Sequence, residues 1–174
     1  MLERLVEFII DILGAFVFWA ILQPYERGVL IRLGSFKRTL GPGIHWVIPF
    51  YIDNVETDNV VPTTSNLLAQ SLQTRDGVAV VVSVVITYAI RDIKKVLLEV
   101  ENADDVLADS TYALVGRAIS NSNYDDICRP EFAESIFKEI RRAAFSWGIE
   151  VRNIGFADLA KAKSLRLWME SGDG

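Results

Sequence analysis

The chain has 174 residues, 51% of them apolar and 24% charged, which excludes a disordered chain. A net charge of −5 argues against binding nucleic acid through phosphate neutralisation. A single cysteine, Cys128, and a single histidine, His45, rule out an intramolecular disulfide and a finger-type zinc site.

The first element is apolar. Ile12 to Leu22 is uninterrupted apolar sequence, and Leu5 to Leu22 carries only two charges, Glu7 and Asp11. Eighteen helical residues span about 27 Å, slightly short of a hydrocarbon core of about 30 Å, and Leu2 to Arg4 supply the remainder. Leu2 to Leu22 is therefore predicted as a helical membrane anchor (residues 1–23), ended by Pro24. Phe8, Ile9, Ile12, Leu13, Phe16, Val17 and Ile21 would meet lipid, with Trp19 suited to the interface. A cleaved signal peptide is disfavoured: the basic n-region is absent and no small-x-small site precedes Pro24. A buried soluble helix is the other alternative, since two acids interrupt the first half. Glu3, Glu7 and Asp11 recur every four residues and share one helix face, which must meet water or protein rather than lipid. The side of the membrane stays open, because too few Lys and Arg flank the segment.

After Pro24 the pattern changes. Tyr25 to Leu33 reads as a strand, Gly41-Pro42-Gly43 as a turn, and Ile44 to Ile48 as a short strand closed by Pro49. Tyr51 to Val61 continues extended, and Leu67 to Thr74 is a further strand. Arg75-Asp76-Gly77 is a hairpin turn into Val78 to Ile90, the longest and most β-branched strand, predicted to be central. Asp92 caps a helix from Ile93 to Val100, and Asn102 opens another from Ala103 to about Ser120. A third helix runs from Glu131 to Trp147, with Pro130 near its first turn, an i,i+4 pair between Glu134 and Lys138, and Gly148 as its cap. Ile149 to Leu159 is extended again. Strands first, helices later and a returning strand predict an α+β domain with helices on one face of a mixed, mainly antiparallel sheet.

Five segments in register then carry a resemblance. They are Tyr25-Glu26-Arg27-Gly28-Val29 with Arg32-Leu33-Gly34; Gly41 to Trp46; Ile48-Pro49-Phe50; Leu72 to Val78 followed by Tyr88; and Trp147-Gly148-Ile149-Glu150-Val151. From about Pro24 to Leu159 the chain resembles the stomatin/prohibitin/flotillin (SPFH, or band 7) family, most nearly its stomatin-like prokaryotic members. The resemblance implies an SPFH domain over residues 24–160 behind an N-terminal membrane segment, and assembly into large oligomers. It also implies a role in organising membrane microdomains and modulating membrane proteases, channels and transporters. The family has no established catalytic residues, so no catalytic, cofactor-binding or metal-binding residue is carried over. Its usual long helical extension is expected here only as the start of a shortened segment, residues 161–174.

No residue pattern points to catalysis. Gly41-Pro42-Gly43 lacks a phosphate-loop pattern, and neither Cys128 nor His45 stands in a nucleophile motif. The expectation is a non-enzymatic membrane scaffold, with self, lipids and a membrane protease, channel or transporter as partners. A small adaptor of a membrane protease and a Cys/His-dependent enzyme are the rivals. Trp46, Ile48, Phe50 and Tyr51 are candidates for shallow membrane insertion, against core packing as the plain alternative. Glu134, Lys138, Arg141 and Arg142 are candidates for a subunit interface, against a solvated face.

Overall fold

The computed structural model describes residues 4, 6, 19–50 and 52–162. Nine strands and four helices are assigned over that range. The short strands come first: β1 (Trp19–Leu22), β2 (Glu26–Arg32), β3 (Ser35–Leu40), β4 (Gly43–Trp46), β5 (Asp53–Asn59), β6 (Thr63–Asn66) and β7 (Gln70–Gln73). The long strand β8 (Ala79–Ile90) leads into α1 (Ile93–Leu98), α2 (Ala103–Asn121), α3 (Tyr124–Ile127) and α4 (Pro130–Ser146), and β9 (Ile149–Lys161) returns. Every strand pairing among the described residues is antiparallel. The predicted α+β class with helices on one sheet face is what forms.

β8 is the central strand. β9 pairs with it from Val80 to Ile90, while β6 and β7 pair with opposite halves of it and so lie end to end along its other edge. Its side chains alternate, with Val80, Val82, Val84, Ile86 and Tyr88 buried on the helix-covered face. That face meets Leu107, Val115 and Ile119 of α2 and Ile136, Ile140 and Ala144 of α4. The α2 residues Leu107, Thr111, Val115 and Ile119 recur every four positions, which keeps them on one side of the helix. Buried Thr111 satisfies its hydroxyl by donating to the Leu107 carbonyl at 2.7 Å.

Helix ends follow local chemistry. The Asp92 carboxylate accepts from the Lys94 and Lys95 amides, as an N-cap does. Pro130 opens α4, where an amide would lack a partner in any case. The hairpin at Arg75-Asp76-Gly77 forms as predicted, with Gly77 at φ 80° and its amide donating to Thr74 at 3.0 Å.

A smaller unit precedes the main sheet. β3, β2 and β5 form a three-stranded sheet, and β1 pairs with β4. Leu22, Leu30 and Leu40 make its core, with Ala20, Val47 and Val55 against them.

Several expectations are corrected. The helix predicted through Leu22 does not reach it: Trp19–Leu22 is a strand that pairs with Gly43–Trp46, and this extended geometry puts Leu22 into the small core. Arg4 and Val6 are helical, while the rest of 1–18 lies outside the described residues, including Phe8, Ile9, Ile12, Leu13, Phe16 and Val17. Among the described residues no helix is long and apolar enough to cross a membrane. The strand predicted over Leu67 to Thr74 divides, because Leu67 turns inward to the core between β6 and β7. α1 stops at Leu98, and β3 and α3 had no sequence signal. Lys161 still belongs to β9, and 163–174 lie outside the described residues.

Candidate functional site

The β1–β4 ribbon pairs Trp19 with Trp46, Ala20 with His45, Ile21 with Ile44 and Leu22 with Gly43. Paired residues two apart share a face. Trp19, Ile21, Ile44 and Trp46 therefore stand together, and they are 52%, 61%, 70% and 73% exposed. The opposite face is inward: Leu22 is buried, and the His45 Nε2–H donates to the Gly41 carbonyl at 2.7 Å. Gly43, at φ 117°, supplies the backbone bend that brings β4 back beside β1.

Beyond Trp46 the chain makes a tight loop held by Asp53. Its carboxylate takes two hydrogen bonds from Arg32, at 2.6 and 2.9 Å, and one from the Ile48 amide at 2.8 Å. The Arg32 hydrogen bonds, helped by the Ile48 amide, hold the Asp53 carboxyl below the usual range despite its burial. The Asp53 side chain is wholly covered. Within this loop Ile48 and Phe50 are exposed, Phe50 at φ 63°. The Leu33 amide donates to the Ile52 carbonyl at 2.8 Å, so the exposed tip of the β2–β3 hairpin joins the same loop. Trp46, Ile48 and Phe50 are thus surface residues here; Tyr51 lies outside the described residues. Sequence reasoning missed Ile44 and Leu33. Ile44 was hidden because its partner strand was read as helix. For Leu33 the adjoining Gly34 was a usable turn signal.

Glu134, Lys138, Arg141 and Arg142 are all exposed on α4. The expected Glu134–Lys138 ion pair does not form; among the described residues the ion pairs are Arg32–Asp53 and Arg129–Asp126. Instead Lys138, Arg141 and Arg142 join Arg91, Phe145, Ile149 and Glu150 around a cleft of about 380 Å³. The Arg91 guanidinium lies 5.0 Å from the Phe145 ring centre.

A larger cavity of about 650 Å³ lies between Arg27, Leu40 and Gly41 on one side and Ile90 to Ile93 on the other. Its lining includes Thr39 and Asp92, and the Asp92 carboxylate is committed to the Lys94 and Lys95 amides. Cys128 is exposed and follows α3, where its hydrogen bond to Tyr124 raises the Tyr124 pKa. His45 is on another element, committed to Gly41. Among the described residues no three His, Cys, Asp or Glu side chains are grouped to hold a metal. Tyr88 is raised by burial and by its hydrogen bond with Asp104, a core contact rather than a reactive group.

Comparison with known proteins adds the family. Residues 20–167 match the SPFH domain / Band 7 family. Protein HflK of Vibrio cholerae is 31% identical over 136 residues, 75% of this chain and 34% of that protein. An uncharacterised protein of Methanocaldococcus jannaschii is 26% identical over 148 residues, covering 84% of this chain and 74% of its own length. A putative band 7 family protein of Acanthamoeba polyphaga mimivirus is 27% identical over 136 residues, 76% of this chain and 44% of that protein. The chain spans only 34% and 25% of the length of the HflK proteins of two Vibrio species. With a match over residues 20–167, the chain belongs to the SPFH domain / Band 7 family.

Proposed function

We propose that this chain is a non-enzymatic, membrane-anchored scaffold. It self-assembles and organises membrane microdomains or modulates membrane proteins such as proteases and channels. The observation that carries the reading is the four-residue apolar face of Trp19, Ile21, Ile44 and Trp46. It sits where the chain leaves the apolar N-terminal sequence. Phe8, Ile9, Ile12, Leu13, Phe16 and Val17 of the N-terminal anchor lie in lipid. The SPFH domain begins at β1. The ribbon, with Ile48, Phe50 and Tyr51, lies in the headgroup region, where Trp and apolar side chains partition favourably. Lys138, Arg141 and Arg142, with Glu134, meet a neighbouring copy.

Membrane contact fixes the tilt of the domain and so decides which flanks meet. Copies held in one plane assemble through individually weak contacts, because their effective concentration is high. The test is the full chain in vesicles containing brominated lipid, with Trp19, Trp147 and Trp168 replaced by Phe so that Trp46 alone reports. Shallow quenching of Trp46 is expected, and unquenched, fully aqueous emission would overturn the membrane contact. Particles extracted in mild detergent should contain many copies; uniformly monomeric particles would leave only the adaptor reading.

A further inference from the structure

Helices α2 and α4 share one face of the main sheet: α4 packs over β9, and the later turns of α2, around Gly116, pack over β7. The start of α2 and the end of α4 both lie at the Ile90 end of β8, since α1 leads from Ile90 into α2 and Ile149 pairs with Ile90. Two exposed surfaces at that end carry opposite charge.

The β9 flank holds the cationic cleft. Arg91, Lys138, Arg141 and Arg142 surround exposed Phe145, with Glu150 the only carboxylate on the wall. None of the four cations forms an ion pair among the described residues. The junction of α1 and α2 is acidic. Glu99, Glu101, Asp104 and Asp105 are exposed within seven residues of one another, and they too form no ion pair among the described residues. The nearby cations point elsewhere: the Lys94 ammonium sits 4.8 Å from the Phe36 ring centre, and Lys95 reaches the Ser146 carbonyl. Leu98, 38% exposed, stands beside these acids as Phe145 stands among the cations.

We propose that the cationic cleft receives the Leu98–Asp105 flank of a second copy of this chain. Four cations without an ion-pair partner around an apolar floor complement four carboxylates without an ion-pair partner around an apolar side chain. The inference rests on the self-assembly proposed above and names its contact. The two surfaces are different, one on α4 and β9 and the other at the α1–α2 junction, so the contact is head-to-tail: each added copy leaves one cleft and one acidic surface open. Such a row closes into a ring or extends as a filament. Being built from exposed charges, it weakens as ionic strength rises.

Two neutralised full-length variants test this. One carries Lys138→Gln, Arg141→Gln and Arg142→Gln, and the other Glu99→Gln, Glu101→Gln and Asp105→Asn. Asp104 is spared because it accepts from Tyr88. All six positions are exposed, and thermal melts matching the parent confirm that both variants fold. Each alone should need at least about tenfold more protein to assemble in detergent. Mixed, they should form one-to-one pairs and nothing larger, since only one intact cleft and one intact acidic flank remain per pair. If both variants assemble like the parent, the inference is overturned while self-assembly stands. Loss in the cleft variant alone overturns the named partner and points to a different acidic surface. A parent that is itself monomeric removes both this contact and the scaffold.

Discussion

Trp19 and Trp46 face each other across the antiparallel register of β1 and β4, and both remain more than half exposed. The cross-strand neighbours Ile21 and Ile44 extend the same face. A soluble surface gains nothing by gathering four large apolar side chains there, so the face should be satisfied by another phase. Replacing Ile21 and Ile44 with Ser should leave the thermal midpoint nearly unchanged, because neither side chain is buried. Removing their partial burial in an interface should cost about 2–3 kcal/mol, a roughly 30- to 150-fold shift in the docked population. Quenching of Trp46 by brominated lipid would then fall sharply. Unchanged quenching would mean that the ribbon does not dock.

Asp53 ties three pieces of chain together: β2 through Arg32, the loop through the Ile48 amide, and β5 to which it belongs. Its folded pKa is depressed, so its contribution is present above the unfolded value of about 3.9 and is lost as pH falls through the folded one. Asp53→Asn should lower the thermal midpoint at neutral pH. The gap between variant and parent should close as pH drops below about 4. Circular dichroism melts across that range check it, and a gap independent of pH would show that the carboxylate charge is not what matters.

The main sheet and its helices were legible because their signals are local and mutually consistent. Val78 to Ile90 is dense in β-branched residues, Asp92 and Pro130 mark helix starts, and Gly77 and Gly148 mark turns. The N-terminal strand was not legible. An unbroken apolar run such as Ile12 to Leu22 has no period to distinguish helix from strand, and the deciding fact is a partner strand 21 to 27 residues away at Gly43–Trp46. The cationic cleft was half legible. Lys138, Arg141 and Arg142 are neighbours on one helix, but Arg91 joins them only because β8 pairs with β9.

α4 separates its two roles by face. Ile140 is 1% exposed in the core and Phe145 is 56% exposed in the cleft. Ile140→Ala should destabilise by about 2–5 kcal/mol, through lost burial and the cavity left behind. Phe145→Ser should change stability by no more than about 0.5 kcal/mol, as exposed sites usually do, yet weaken assembly. Urea melts read the first difference and sedimentation the second. Equal destabilisation by the two would mean that Phe145 is part of the core.

Gly148 joins the fold to the cleft. It lies at φ 85°, and its carbonyl accepts from the amides of Arg91 and Asp92 at 2.9 and 3.0 Å. A Cβ there would come within 2.8 Å of the Asp92 carbonyl oxygen. Gly34 also has positive φ, but a Cβ there meets nothing within 4 Å. Gly34→Ala should therefore cost only the left-handed backbone penalty, about 1 kcal/mol. Gly148→Ala carries that penalty plus a backbone clash that forces the hydrogen bonds from the Arg91 and Asp92 amides to Gly148 apart, for about 2–4 kcal/mol in all. Moving Arg91 would also pull its guanidinium off Phe145 and distort the cleft. Gly148→Ala is thus expected to lose stability and assembly together, while Gly34→Ala keeps its assembly. Equal effects of the two alanines in urea melts would show that the close approach to Asp92 does not constrain this turn.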